Sequence, residues 1–220
     1  RTMIEIVKTG DGSTTLYVPE IGDHYHSVHG AIQESEYIFI GCGQNYSKKN
    51  RLRIFEAGFG TGLNALLSCI HASANQLNIY YTSIEKYPLG EDIVRSLNYA
   101  DLLQNESGIL FEKIHSCEWN IPVKISANFI LHKIEADFTT TVVPGSYDLI
   151  FFDAFGPGKQ PEMWSDDIFR KISILTSHNG IFVTYSVSGE VKRLLSKYGF
   201  EVTLLPGPPG KRQILRAVKF

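Results

Sequence analysis

Apolar positions change their rhythm about a quarter of the way along the chain. Before that point, short alternating runs predict small strands over residues 3–9 and 15–18 with a Gly10-Asp11-Gly12 turn between them, and a further strand over 37–41. From residue 53 onward the pattern becomes strand, helix, strand: an apolar strand at 53–57, a one-sided helix at 63–72, a strand at 79–84, and a helix over 88–97 with Pro88 near its first turn. Further strands are expected at 109–113, 129–135, 148–152, 180–185, 201–205 and 213–218, with helices near 161–175 and 190–197. Such alternation implies an α/β fold in which a mostly parallel sheet is covered on both faces. Residues 1–50 read as a small β-rich extension and 51–220 as a Rossmann-like core, together one domain.

The final two strands depart from this order. Only Pro206-Gly207-Pro208-Pro209-Gly210 separates them, a rigid loop too short for a crossover, so one antiparallel strand is expected near the C-terminus. Open sheets of this kind bind ligands beyond the carboxyl ends of their strands. The loops after residues 57, 84, 135, 152 and 185 are therefore expected to line one cleft.

Two segments at those ends carry most of the chemical information. Glu56-Ala57-Gly58-Phe59-Gly60-Thr61-Gly62-Leu63-Asn64 joins a strand to a helix, and its glycines permit a sharp turn with backbone close to a ligand. The third Gly comes one residue earlier than in the dinucleotide fingerprint, and a Glu56 carboxylate disfavours phosphate while tolerating a sulfonium. That points to S-adenosylmethionine (SAM). Glu85 ends the next strand where it can hold ribose hydroxyls, and Asp137 ends another where it can accept from an adenine amino group, with Phe138 packing on the base. Asp153 follows Ile150-Phe151-Phe152, and a carboxylate at the mouth of so apolar a strand is costly unless it is bonded, solvated or used.

Composition narrows the setting. With 43% hydrophobic residues in 220, the chain can bury a full core, and a formal net charge of −2 requires any polyanion site to be a local patch. Candidate phosphate contacts are Lys48-Lys49-Asn50-Arg51-Leu52-Arg53, Lys192-Arg193 and Lys211-Arg212. Cys42, Cys69 and Cys117 lack metal or disulfide spacing, and the histidines between His24 and His29 complete no zinc pattern, so no metal is expected. The N-terminus lacks a signal peptide and no run reaches the roughly 18 apolar residues of a membrane span. A soluble cytoplasmic protein without membrane partners is expected.

Further motifs widen the pattern: Asp23-x-Tyr25-x-Ser27, Glu34-Ser35-x-Tyr37-Ile38-Phe39, Glu85-Lys86-Tyr87-Pro88-Leu89, and Phe152-Asp153-x-Phe155-x-Pro157-x-Lys159-x-Pro161-x-Met163-Trp164. Thr184-Tyr185, Gly189-x-Val191-x-Arg193 and Gly210-Lys211-Arg212 follow. Together with the Gly-rich turn, these resemble the SAM-dependent methyltransferase domain of MnmC-type tRNA modification enzymes, over most of the chain. The resemblance implies a class I (Rossmann-like) methyltransferase acting on the aminomethyl group of a wobble uridine in the tRNA anticodon stem-loop, with separate enzymes installing the aminomethyl precursor. It implies Glu56, Gly58, Gly60, Gly62, Asn64, Glu85, Lys86, Asp137, Phe138 and Asp153 at the cofactor, and Asp153 also as the catalytic group. Phe155, Pro157, Lys159 and Trp164 would shape the uridine pocket, and Lys192, Arg193, Lys211 and Arg212 would hold phosphates.

The family usually shows Asp-Gly-Phe-Ala-Pro-Ala-Lys where this chain has Asp153-Ala154-Phe155-Gly156-Pro157-Gly158-Lys159, which puts the path of the substrate loop in question. Its familiar members also carry a flavin oxidase, for which 220 residues have no room, so a stand-alone methyltransferase is expected. Competing readings are a methyltransferase for another RNA base or small amine, an aminopropyltransferase, an NAD-dependent oxidoreductase and a noncatalytic nucleoside- or RNA-binding module.

Overall fold

The computed structural model describes residues 3–220; Arg1 and Thr2, the start of the segment read for a signal peptide, lie outside them. A small antiparallel sheet opens the chain, with β1 (Glu5–Lys8), β2 (Thr14–Val18) and β3 (Asp23–His24), followed by a short helix α1 (Ala31–Ser35). The core follows as β4 (Arg51–Ala57), α2 (Leu63–Ala74), β5 (Asn78–Glu85), α3 (Glu91–Ser96), α4 (Tyr99–Leu103) and α5 (Ser107–Ser116). It continues with β6 (Pro122–Ser126), β7 (Phe129–Glu135), β8 (Tyr147–Phe152), α6 (Asp166–Leu175), β9 (Thr176–Thr184), α7 (Gly189–Lys197), β10 (Phe200–Pro206) and β11 (Gln213–Lys219).

The eight core strands form one sheet in the order β10-β11-β9-β8-β4-β5-β7-β6. Neighbours from β9 through β7 are parallel, and β11 runs antiparallel between β9 and β10. Because both faces of the central strands are covered, their side chains are apolar in both directions. Ile54, Leu149, Phe151, Ile181 and Val183 point into one buried cluster with Leu63, Leu66 and Leu67 of α2. The alternate positions Phe55, Ile150, Phe152 and Phe182 enter the other, against Ile168, Phe169 and Ile172 of α6 and Val191 and Leu195 of α7.

Three expectations are corrected. Residues 37–41 form a turn of π-helix (Glu36–Gly41), not a strand, with the Cys42 N–H donating to the Tyr37 carbonyl. A continuous apolar run has no period of its own, and burial of Ile38, Phe39 and Ile40 with Phe39 on Phe151, ring centroids 5.2 Å apart, settled it. The strand expected at 109–113 lies within α5, whose buried Ser107, Phe111 and Ile114 follow helical spacing while Ile109 is 61% exposed. The helix over 88–97 begins only at Glu91, after Gly90. The reading also missed α1, α4, β3 and β6. The last makes a third antiparallel pairing in this sheet, with β7 at the far edge, and tolerates Pro122 because it is the first residue of an edge strand.

Phe151 couples the π turn to the central sheet, also lying 6.1 Å from Tyr81 by ring centroids. Phe151→Ala should lower stability by about 3–5 kcal/mol in chemical denaturation; a loss below about 1 kcal/mol would show that this junction is not a packing centre.

Candidate functional site

The carboxyl ends of β4, β5, β7, β8 and β9 open on one cavity of about 1100 Å³. Its walls include Gly58 and Gly60 after β4, Glu85 at the end of β5, Asp137 after β7, Asp153 after β8 and Tyr185 after β9, as the strand-end argument anticipates. The N-terminal extension forms the opposite wall through Tyr25, His26 and Glu34, which the sequence reading did not place in the site.

Turn geometry explains the glycines. Gly60 and Gly62 adopt φ of +53° and +74°, and a Cβ on Gly62 would stand 2.9 Å from His115 Nε2 and 3.0 Å from Phe59 Cζ. Glu85 fixes the turn by accepting from the N–H groups of Gly60 at 3.0 Å and Tyr87 at 2.9 Å, while still lining the cavity. Leu63 and Asn64 begin α2 from this turn, and the buried Asn64 donates through Nδ2 to Asp153 Oδ2 at 3.3 Å. Thr61 Oγ1 and Asn64 Oδ1 are buried without a hydrogen-bond partner within the protein, which leaves polar capacity for a bound molecule.

The acids differ in state. Asp153 is half-buried, and burial, reinforced by the negative charge of Glu34, pushes its carboxyl up to about 7. Asp137 sits at the rim, where Lys86 Nζ at 2.9 Å and the Thr139 hydroxyl at 2.6 Å hold it down at about 2. Lys86 and Phe138 line the same rim, and the Phe138 ring packs on Phe55 with centroids 5.2 Å apart.

Several expected site residues lie elsewhere. Glu56 does not line the cavity: it is 1% exposed, accepts from Ser83 Oγ at 2.7 Å, and burial pushes its carboxyl up to about 8. A neutral acid beneath the turn does not supply the anion imagined for discriminating sulfonium from phosphate. Trp164 is core, its indole edge-on to Phe152 and its Nε1 donating to the Phe155 carbonyl at 2.6 Å. It shapes the loop from behind, because a buried indole needs both an apolar bed and one acceptor. Pro157 is also absent from the walls, whereas Phe155, Lys159 and Met163 are present.

Of the basic residues, Lys211 is turned inward onto Glu34, Nζ to Oε2 at 2.7 Å, and is not free for phosphate. Arg193 and Arg212 are exposed and Lys192 half-buried, all three away from the cavity walls and without an acidic partner among the described residues. Lys49 pairs with Asp148, so the 48–53 run does not act as one patch. The histidines diverge: His24 stacks near Tyr17, His26 is buried near Tyr99, and His29 packs under Gly210. Among the described residues no group of three His, Cys, Asp or Glu is placed to hold a metal ion, and no helix is long and apolar enough to cross a membrane.

The state of Glu56 is measurable. The folded protein retains a proton that the unfolded chain releases at about 4.5, so stability should fall as pH rises from about 4.5 to about 8. Glu56→Gln, which preserves an acceptor for Ser83, should flatten that decline in denaturation curves taken across this range. Parallel pH dependences in the two proteins would mean that Glu56 ionises normally.

Comparison with known proteins agrees with this architecture. The profile of a family described as S-adenosyl-L-methionine-dependent methyltransferase matches residues 109–220. The "tRNA 5-methylaminomethyl-2-thiouridine biosynthesis bifunctional protein MnmC" of Burkholderia multivorans is 29% identical over 218 residues, covering 91% of this chain and 33% of that protein. Its namesake from Campylobacter hominis is 30% identical over 206 residues, covering 92% of this chain and 31% of that protein. The chain thus spans about a third of the length of these curated relatives. The crystal structure of MNMC2 from Aquifex aeolicus superposes with a TM-score of 0.82 at 28% identity, covering all of this chain and 71% of that one. Spermidine synthase from Thermotoga maritima shares the fold, with a TM-score of 0.62 at 14% identity over 99% of this chain and 69% of that one. The profile match extends over half of the sequence, beginning in α5 and including the strands that carry Asp137, Asp153 and Tyr185, and the chain belongs to the S-adenosyl-L-methionine-dependent methyltransferases.

Proposed function

We propose that this chain, acting as one methyltransferase domain, methylates the primary amine of 5-aminomethyl-(2-thio)uridine at the tRNA wobble position. The observation that carries the reading is Asp153, a carboxylate held by Asn64 in the same cavity as the Gly-rich turn. The names of the relatives, all concerned with methylaminomethyl-thiouridine biosynthesis, support it. The setting it implies is the cytoplasm, with other enzymes supplying the aminomethyl group.

The residues fit the cofactor. Gly58 and Gly60 would give it backbone access, with Gly62 only shaping the turn from behind against His115 and Phe59; the unpartnered Thr61 Oγ1 and Asn64 Oδ1 would offer polar contacts, and Glu85 a fixed carboxylate for the ribose. Asp137 and Phe138, with Lys86 steadying Asp137, suit the adenine. When bound, SAM supplies an electrophilic methyl group on a sulfonium.

The remaining requirement is an amine with a free lone pair, and here Asp153 acts. An alkylammonium loses its proton with a pKa of about 10, by analogy with lysine. Transfer to an ordinary carboxylate would be uphill by about 8 kcal/mol; with Asp153 at about 7 the gap falls to about 4 kcal/mol. The same carboxylate orients the amine through its hydrogen bonds. Phe155 and Tyr25, edge to face with ring centroids 5.3 Å apart, give the uracil an apolar wall. Lys159 stands at the mouth, and Lys192, Arg193 and Arg212 remain available outside for RNA phosphates, a contribution that should weaken with salt.

Incubating tRNA that carries unmethylated aminomethyl-uridine with the protein and SAM should add one methyl to that nucleoside, read by mass spectrometry. Asp153→Asn should lower kcat by about 10²–10⁴-fold with SAM affinity changed only a few-fold. Wild-type kcat should rise as pH increases through about 7, where Asp153 loses its proton. Absence of methyl gain while SAM binds would discard the wobble-uridine reading, and full activity in the Asn variant would remove Asp153 from the reaction.

A further inference from the structure

A carboxylate from outside the parallel core also faces the cavity. Glu34, on α1, is 7% exposed and lines the same space as Asp153. Its Oε1 accepts from the Ser27 N–H at 3.0 Å and its Oε2 meets Lys211 Nζ at 2.7 Å. The lysine is aimed by its loop: Lys211 N–H donates to the Pro208 carbonyl at 2.9 Å, Gly207 N–H to the Arg212 carbonyl at 3.1 Å, and Tyr37 Oη anchors Pro206 through its carbonyl at 2.7 Å. Gly210, at φ +86°, packs so closely on the His29 ring that a side chain there would collide with it. Lys211 Nζ also lies 5.3 Å from the centroid of Tyr185, whose hydroxyl donates to the carbonyl of Ala154, the residue next to Asp153.

We propose that Lys211 is a positioning residue for methyl transfer: seated on Glu34, it cancels the charge of the carboxylate that α1 brings to the cavity, so that Asp153 meets the substrate amine without a competing anion from that wall. An uncompensated Glu34 would raise the proton affinity of Asp153 and favour the amine in its protonated, unreactive form. The other titratable groups that the charge of Asp153 reaches are Glu56 on β4, Tyr81 on β5, Tyr99 on α4 and Tyr185 after β9. Burial holds Glu56 up at about 8 and raises all three tyrosines above their ordinary range, so each is largely or wholly neutral at pH 7. Glu34 and Lys211 are thus the opposed charges acting on Asp153, the first raising its proton affinity and the second lowering it. Asn64 adds a hydrogen bond that favours the ionised form.

The arrangement predicts opposite effects from removing either partner and cancellation when both are removed. The test is a titration of the Asp153 carboxyl by NMR on the full chain with carboxyl-¹³C aspartate, the resonance assigned by its loss in Asp153→Asn. Glu34→Gln, which keeps an acceptor for Ser27, should move the midpoint down by about one pH unit, and Lys211→Met should move it up by a similar amount. The double variant should return to within about half a unit of wild type. Because Lys211→Met leaves a buried carboxylate unpaired, it can fail to fold; comparison of Glu34→Gln with the double variant then decides, since the second substitution must raise the midpoint again. Midpoints that do not move in Glu34→Gln, or do not rise on adding Lys211→Met to it, overturn the proposal.

The kinetic role rests on the wobble-uridine reading and is tested separately, with tRNA bearing aminomethyl-uridine. The midpoint of the pH–kcat curve should follow the NMR midpoint in each variant, and Lys211→Arg should restore the wild-type curve. Methyl gain with an unmoved kinetic midpoint overturns the positioning role. NMR shifts as expected without methyl gain, SAM binding being intact, support the charge arrangement and discard the substrate reading.

Discussion

The parallel register of the central strands is the constraint on which the rest of the structure depends. β4 pairs in register with β5 and β8, β5 with β7, and β8 with β9, so that all five end along one edge of the sheet. Side chains separated by nearly a hundred residues in sequence, such as Asn64 and Asp153, are thereby brought within hydrogen-bonding distance. The registry is fixed by burial on both faces: a one-residue slip would exchange the Ile54/Leu149/Phe151 face for the Phe55/Ile150/Phe152 face and unmake both clusters at once.

That edge gathers charge that the interior would otherwise exclude. Each acid meets a different solution. Glu56, sealed beneath the turn, is largely neutral at pH 7; Asp137, at the rim, is stabilised as an anion by Lys86; Glu85 is tied to two backbone N–H groups; and Asp153 lies between these extremes. The same residue type thus serves as filler, as ion-pair partner, as a clamp on the turn and as a candidate proton acceptor. Solvent access and the nearest partner make the difference, not strand position, which all four share.

The N-terminal extension is part of this electrostatic design. α1 supplies Glu34 to the cavity wall, and the loop between β10 and β11 brings Lys211 onto that carboxylate, so residues from both ends of the sequence meet outside the parallel core. Tyr25 completes an apolar wall with Phe155. The extension contributes both a wall and a charge to the site.

Local signals made much of this legible in the sequence. The β4 turn was readable because its glycines occupy positions where other residues are strained, and the strands over 129–135, 147–152 and 213–219 were readable because buried parallel and hairpin strands leave continuous or alternating apolar runs. Where a run had no period, as at Ile38-Phe39-Ile40, or where a brief alternation imitated a strand, as at Ile109 and Phe111, the outcome waited on what the segment packs against. The site divided in the same way. Glu85, Asp137 and Asp153 could be named because strand ends are local features, but Glu34 had only a motif to mark it, Trp164 was assigned to the pocket, and Lys211 was taken for a phosphate contact. The sequence by itself determined which residue types stand at the strand ends. Only the tertiary structure decided which of them are charged, which face the cavity and which partner each one meets, because burial and pairing depend on residues distant in the chain.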